Sequence, residues 1–148
     1  MRSKDIGTRA ETAVVKLCHE IGYRHAERLA LAGADDRGDI RLSRDPLIIL
    51  EVKAGKAAQN ASWPQIQAWL RETQIERNNA WRADPEKLDK EFHGFLVTQR
   101  KGYGTGRVAD WCIWTIDDDS LFSEDDPSLP PGMYPLGAFL EAMKEIWL

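Results

Sequence analysis

The sequence contains few of the residues that would indicate a disulfide-stabilised, zinc-binding or membrane protein. Its 148 residues include only two cysteines, Cys18 and Cys112, which lie far apart and each among apolar neighbours. We therefore expect two reduced core residues in a cytoplasmic protein and no CxxC metal site. No apolar run approaches the roughly 20 residues that span a bilayer. The first residues also lack the apolar stretch of a signal peptide.

Positive charge is nearly missing from the last quarter of the chain. Residues 109–148 contain one basic and nine acidic residues, whereas residues 1–108 contain 19 basic and 15 acidic residues. The net charge of −4 argues weakly against binding to nucleic acid. Local patches, rather than the total, govern contacts with phosphates. The mildly basic first part is therefore compatible with a ligand that carries phosphate groups.

The hydrophobic spacing predicts a single domain of the α/β class. Helices are expected at residues 5–22, 62–81 and 135–148. Strands are expected at residues 24–33, 39–43, 47–54, 92–100 and 108–117, with helix an alternative for the alanine-rich first of these. An acidic, proline-rich linker is expected at residues 118–134, after a core of residues 5–117. This order predicts a mixed sheet of about five strands flanked by helices.

The segment "GDIRLSRDPLIILEVKAGK" reads as a β-hairpin that ends in charged residues. Alternate residues of a strand share a face, so Glu51 and Lys53 point the same way. If the hairpin is centred on Asp45, Asp39 lies opposite Glu51. Opposed carboxylates on one sheet face repel each other and destabilise the pair. The hairpin is therefore costly unless a ligand uses these charges.

A cation between Asp39 and Glu51 would turn this repulsion into attraction. Two carboxylates, the backbone carbonyl of Val52 and waters form a hard-oxygen site of the kind that suits Mg²⁺ or Mn²⁺. Lys53, beside that site, would hold an anionic substrate oxygen or orient a water. Activated water and electrostatic support of a phosphorane are the chemistry of phosphodiester hydrolysis. The other interpretation is a structural hairpin with solvated charges.

Glu11 is a further candidate because of its place on the first helix. Gly7, Glu11, Val14 and Cys18 form one helical stripe, so the carboxylate lies at the edge of the apolar face. A carboxylate in that position needs a partner. A water on the metal and the side chain of Arg28 are the two candidates, and a plain salt bridge is the alternative.

These residues resemble the signature of the PD-(D/E)xK nuclease superfamily. Asp39 followed by Glu51-Val52-Lys53 is similar to its D…(D/E)xK motif, and "GTRAE" is similar to a GxxxE helix start that these enzymes often carry. The resemblance covers about residues 5–117 and is closest to archaeal and phage-type Holliday junction resolvases. It implies a restriction-endonuclease-like core and, for a phage-encoded protein, a location in the host cytoplasm.

The resemblance also implies an activity. In such enzymes the Asp and the Glu bind Mg²⁺ and the Lys assists the attacking water, so Asp39, Glu51 and Lys53 would take these roles, with Glu11 as an auxiliary acid. A resolvase cuts branched DNA symmetrically in recombination or repair, which implies a homodimer. The alternatives are a RecB-like nuclease for duplex ends or single strands, and a module that binds nucleic acid without cleaving it.

Three features depart from that pattern or complicate it. Gln65 and Trp69 resemble the QxxxY motif of RecB-like members, with Trp in place of Tyr. In the named signature a proline precedes the aspartate, whereas in this sequence Asp39 is preceded by Gly38. The loop before it contains Asp35 and Asp36, either of which is an alternative metal ligand to the following aspartate.

Several basic and polar residues are candidates for contacts with DNA. The loop "RKGYGTGR" combines three cations with three glycines, as expected for a flexible segment that grips phosphates. Its aromatic side chain would stack on a base or on a neighbour. An ordinary loop, a salt bridge for Arg28 and a helix cap for Gln65 are the alternatives. The predicted contacts are Arg28, Lys56, Gln65, Arg100, Lys101, Tyr103 and Arg107.

Overall fold

The structure, a computed structural model, describes residues 3–30, 36–86, 89, 91–115 and 132–148. The helices are α1 (Ser3–Ile21), α2 (Lys56–Gln59), α3 (Trp63–Ala83) and α4 (Leu136–Trp147), and a 3-10 helix covers Thr105–Asp110. The strands are β1 (Glu27–Arg28), β2 (Ile40–Arg44), β3 (Leu47–Lys53), β4 (Phe92–Thr98), β5 (Cys112–Trp114) and β6 (Met133–Pro135). The expected α/β class is confirmed, with six strands rather than five.

The strands form one mixed sheet in the order β1-β2-β3-β4-β5-β6. Strands β3 and β4 are parallel, and every other neighbouring pair is antiparallel. Because parallel strands need a crossover connection, α3 lies between β3 and β4 in the chain. Glu51 pairs with Leu96 and Lys53 with Thr98, so the carboxyl ends of both strands meet at one edge.

The two faces of β3 belong to different layers of the protein. Ile48 and Leu50 lie in the main core with residues of α1 and α4. Leu47 and Ile49 lie in a second, smaller cluster with Ala80 of α3. The predicted division of β3 into two faces is therefore confirmed, and Glu51 and Lys53 continue the face that α3 covers.

The long helix α3 begins directly after Ser62, as expected, and ends at Ala83, two residues beyond the expected end. The Ser62 hydroxyl oxygen accepts a hydrogen bond from the backbone N–H of Gln65 at 3.3 Å, and Pro64 occupies the first turn. At the other end the helix is followed by Asp84, and the next residue is Pro85. A residue before proline avoids the helical region, which explains this stop.

The amphipathic pattern of the last helix is also confirmed. The hydrophobic spacing of this segment predicts one apolar face, and the residues of that face are all buried: Leu136, Phe139, Leu140, Met143 and Trp147. The helix begins one residue later than expected, because Pro135 pairs with Cys112 in β6. None of the described helices is long and apolar enough to cross a membrane.

Local boundaries differ from the expectation where tertiary pairing decides them. Strand β1 has two residues instead of the ten expected at 24–33, because Glu27 and Arg28 are the only described residues of this segment that pair with β2; residues 31–33 lie outside the described residues. The connector after β3 contains the short helix α2. Residues 118–131 of the expected linker lie outside the described residues, and residues 133–135 form β6 by pairing with β5.

The last expected strand is the largest local difference. Residues 108–110 belong to the 3-10 helix, and the strand is limited to Cys112–Trp114. The indole N–H of Trp111 donates to the carbonyl oxygens of Tyr103 and Gly104 at 3.1 and 3.2 Å. Burial of this large ring folds the preceding residues back, so that they cannot extend the strand.

Candidate functional site

The charged residues of β3 lie beneath α3, at the edge where β3 and β4 end. Glu51 and Lys53 project from β3, and Glu72 and Glu76 project toward them from α3. Asp39 approaches from the other arm of the hairpin. The structure therefore brings the three residues of the proposed signature together.

The hairpin register agrees with the expectation at the end that carries the site. Ile40 pairs with Leu50 and Arg41 with Ile49, as expected for a hairpin centred on Asp45. A bulge shifts the register only beyond Arg41, toward the turn. This pairing brings the next residue, the aspartate at position 39, level with the end of β3.

Asp39 is held in place by hydrogen bonds to β3. Its Oδ2 accepts from the backbone N–H of Val52 at 2.8 Å, and its own N–H donates to the carbonyl oxygen of Leu50 at 3.1 Å. The carbonyl of Lys53 points the other way, toward β4, where it accepts from Gln99. Because successive residues of a strand direct their backbone groups to opposite sides, the Val52 carbonyl points to the Asp39 side.

Glu51 and Glu76 form a buried pair of carboxyl groups with unused acceptor capacity. Their residues are only 4% and 5% exposed. In each, the Oε2 atom is buried and has no hydrogen-bond partner among the described residues. Together with Asp36 they place one oxygen each within 4.8 Å of one another. Buried carboxyl oxygens without donors are costly, so this arrangement suits a cation.

The electrostatics of the pair show how strongly its charges are disfavoured. Burial, with the hydrogen bond to Glu76 and the charge of Asp39, raises the pKa of Glu51 to about 11. Burial and the charge of Asp36 raise the pKa of Glu76 to about 7, although its hydrogen bond to Glu51 opposes this. Burial also raises the pKa of Asp39. A divalent cation would favour the ionised forms of all three.

Lys53 is oriented by contacts on several sides. Its Nζ lies 3.5 Å from Oε1 of Glu51 and 3.7 Å from Oε2 of Glu72, and 5.7 Å from the ring centroid of Trp69. Burial opposes its charge, but the carboxylates of Glu51 and Glu72 outweigh burial and raise the pKa of Lys53. The ammonium group is therefore charged and partly exposed, as an anion-binding group must be.

Glu11 takes part in the site through its charge and through an ion pair. Its Oε1 lies 3.7 Å from Nε of Arg28. Burial, and then the charge of Asp39, raise the pKa of Glu11. The salt bridge to Arg28 is thus present. The Glu11 carboxylate also lies close enough to Asp39 for the two negative charges to repel each other.

The basic loop, residues 100–107, follows β4 next to Lys53. Its central side chain, Tyr103, contacts two arginines of the loop itself. The ring of Tyr103 lies under the guanidinium groups of Arg100 and Arg107, at 4.8 and 4.4 Å from the ring centroid. Its stacking partners are therefore neighbours within the loop. Lys101 is exposed, and Lys56 is exposed at the start of α2. The loop thus presents a group of cations at the edge of the sheet where the site lies.

Some candidates are placed differently from the expectation. Gln65 lies in the first turn of α3, where its side chain is exposed and its backbone N–H is capped by Ser62. Asp35 lies outside the described residues, whereas Asp36 belongs to the acidic cluster. The sequence interpretation missed Glu72 and Glu76. The signal was their helical spacing from Trp69, which places all three on one stripe of α3.

Gly38 allows the chain to bring Asp39 against β3. Its φ is +95°, and a Cβ atom there would lie 2.1 Å from Cγ2 of Ile49. We expect Gly38→Ala to lower the free energy of unfolding by about 2–4 kcal/mol, because it adds backbone strain and overpacking. Urea unfolding measures this, with Gly104→Ala as the control, since a Cβ at Gly104 meets nothing within 4 Å. Equal stability of the two variants would contradict the role given to Gly38.

Comparisons of the chain with family models, with curated proteins and with solved structures found no match. The functional interpretation therefore depends on the geometry of the site itself. That geometry combines a buried acidic cluster, a lysine held at its border and a basic loop at the same edge of the sheet.

Proposed function

We propose that this protein is a Mg²⁺-dependent endonuclease of the PD-(D/E)xK type, with a restriction-endonuclease-like core, which hydrolyses phosphodiester bonds of DNA. One observation carries the proposal. Glu51 and Glu76 are buried, each with an oxygen that has no hydrogen-bond partner among the described residues, and the Lys53 ammonium lies 3.5 Å from Oε1 of Glu51. A purely structural ion pair would not leave these buried carboxyl oxygens without a donor. A bound cation would use the carboxyl oxygens, and a phosphate would use the ammonium group of Lys53.

The chain's own groups divide into ligands and substrate-orienting groups. Asp39, Glu51 and the Val52 carbonyl would hold the metal, with Glu76 and Asp36 as further carboxylates on the other side of the cluster. Mg²⁺ or Mn²⁺ supplies, when bound, a Lewis acid that activates water and offsets charge on the phosphate.

Lys53 and its neighbours act on the substrate. The Lys53 Nζ donates to a phosphate oxygen or to the attacking water, and its charge supports the negative charge that develops in the transition state. Glu72 and Trp69 hold the ammonium group at the border of the cluster. Glu11, paired with Arg28, adds an acidic group beside Asp39.

The proposed substrate is branched DNA, such as a Holliday junction, cut by a homodimer whose two sites act on two strands. The cations of the basic loop and Lys56 would contact the phosphates of the arms. Trp69 beneath Lys53 favours a second candidate, a RecB-like nuclease for duplex ends or single strands, because it places the Trp of the QxxxY-like motif in the site.

A panel of DNA substrates tests the function. Four-way junctions, flaps, linear duplex and single strands are incubated with the protein in Mg²⁺, in Mn²⁺ and in excess chelator. We expect cleavage with either metal and none in chelator, with paired symmetric nicks in the junction. The exposed Glu145→Gln variant serves as the control and should behave as the wild type. Cleavage confined to ends or single strands would select the RecB-like alternative, and DNA binding without any cleavage would indicate a non-cleaving module.

A further inference from the structure

A groove lies beside the acidic cluster, between the C-terminal half of α3 and strands β1 and β2. Its volume is about 660 Å³, within the range of about 300–1,000 Å³ typical of pockets for small ligands. Its apolar lining includes Leu47, Ile49 and Ala80, and its basic lining residues are Arg37, Arg41 and Arg44. The groove exists because α3 covers β3 and β4 and leaves the same face of β1 and β2 open.

The groove is continuous with the proposed site. Ile49 precedes Glu51 by two residues on the same face of β3, and Ala80 follows Glu76 by about one helical turn. Arg37 is the neighbour of Asp36 in the chain. The side chain of Asn79 donates to the carbonyl oxygen of Asp36 at 2.9 Å, which ties this segment to α3. A strand bound at the acidic cluster would therefore have its next nucleotide at the groove.

The floor of the groove is apolar and its border is cationic. Arg41 lies directly across from Ile49, so its side chain is on the groove face of β2. Within the described part of the chain, Arg41 and Arg44 share one carboxylate, that of Glu27. The Nε of Arg41 is buried and has no hydrogen-bond partner among the described residues. One carboxylate has only two oxygens for two guanidinium groups, so further N–H donors of Arg41 and Arg44 remain for an anion.

The acidic lining residues lie at the other end. Strand β2 and helix α3 both run away from Glu51, so Asp45, Asp84 and Glu86 are remote from the cluster, together with Arg44, and Arg37 is near it. The acidic lining residues outnumber Arg44 at the remote end, so a phosphate is disfavoured there relative to a position beside Arg37 and Arg41. The polarity of the groove therefore orients a nucleotide with its phosphate toward the site.

We propose that this groove binds one unpaired nucleotide of the substrate strand, next to the phosphate that is cut. Its base packs on the apolar floor, and its phosphate contacts Arg37 and Arg41. A paired base cannot make these contacts, because its faces are hidden in the duplex stack. The substrate class is accordingly DNA with an unpaired nucleotide at the cleavage position, which a flap or a single strand contains and which a four-way junction supplies when a base pair at its branch opens. This inference rests on the proposed function for the identity of the strand.

Binding measured in chelator tests the inference without cleavage. The anisotropy of a labelled short single strand is compared with that of a blunt hairpin duplex of related sequence. We expect the wild type to prefer the single strand. The double variant Arg37→Ala, Arg41→Ala should bind the single strand about 10-fold more weakly, and its salt slope should fall by about 1.4, from two lost phosphate contacts.

Glu27→Gln separates phosphate binding from structural support. It removes the same ion pairs but keeps the arginines, so single-strand binding should be unchanged or tighter. If Glu27→Gln weakens binding as much as the double variant does, the arginines are structural and the inference is wrong. The exposed Arg24→Ala variant is the control for general charge and should bind as the wild type does.

Two further results distinguish failure of the groove proposal from failure of the proposed nuclease function. Arg37 is exposed, so its single replacement tests the groove even if the double variant does not fold. Metal-dependent cleavage with single-strand binding unaffected by Arg37→Ala and by the double variant would overturn the groove and leave the nuclease intact. Arginine-dependent single-strand binding without cleavage would support the groove and overturn the nuclease.

Discussion

Replacement of Lys53 by methionine is expected to lower the maximal rate of DNA cleavage by about 100- to 1,000-fold, the typical loss when one preorganised charge donor is removed from a transition state. The reason is that Lys53 is held beside the cluster by Glu51 and Glu72, and no other cation contacts Glu51 among the described residues. Metal binding should not weaken, because the variant removes a positive charge from the border of the site. Single-turnover cleavage with saturating Mg²⁺ measures the effect.

The matched control is Lys144→Met. Lys144 is also partly buried and paired with a glutamate, Glu141 at 3.6 Å, but it lies on α4, on the opposite face of the sheet. This variant should cleave at the wild-type rate. DNA binding by the Lys53 variant in chelator should change by less than about threefold, since one phosphate contact is a small part of the interface. A Lys53 variant that retains full activity would exclude the role assigned to this side chain.

The second large effect is the dependence of the free energy of unfolding on pH and on bound metal. Without metal, the native state binds more protons than the unfolded state, because the pKa values of Glu51 and Glu76 are raised above 4.5. Stability from such groups is fully present below their unfolded pKa and is lost as the pH rises through the folded pKa. We expect the free energy of unfolding in chelator to fall by at least about 3 kcal/mol between about pH 5 and about pH 9, which is the amount expected from Glu76 alone.

Mn²⁺ should oppose this loss, because a ligand that binds only the native state stabilises it by mass action. At about 100 times its dissociation constant the gain is about 2.7 kcal/mol. The gain should increase with pH, since the carboxyl groups must lose their protons to bind the metal. Urea unfolding at several pH values, with and without Mn²⁺, measures both effects.

Glu76→Gln is expected to raise the free energy of unfolding in chelator and to reduce the stabilisation by Mn²⁺. In chelator the variant should be more stable than the wild type above about pH 7, because it removes a buried acid. With Mn²⁺ it should gain less than the wild type, because one carboxylate of the cluster is lost. The exposed Glu145→Gln variant should follow the wild type. Absence of any Mn²⁺ effect on the wild type would contradict a metal site at Glu51 and Glu76.

Local rules predicted the hairpin and the start of α3 from the sequence. Alternation along β3 placed Glu51 and Lys53 on one face, and turn position placed Asp39 opposite them; both depend on near neighbours only. Ser62 predicted where α3 begins, because an N-cap is a contact across three residues. The short β1, the 3-10 helix and β6 could not be predicted this way, because each depends on pairing or burial against distant segments.

The sequence by itself determined the class of fold, the hairpin and the approach of Asp39 to Glu51 and Lys53. Only the tertiary structure decided that Glu76 and Asp36 complete the acidic cluster and that arginines of β2 form a groove beside it. The physical reason is the parallel pairing of β3 and β4. This pairing requires α3 to cross over the sheet, and that crossing buries Glu76 against Glu51 while it leaves β1 and β2 open on the same face.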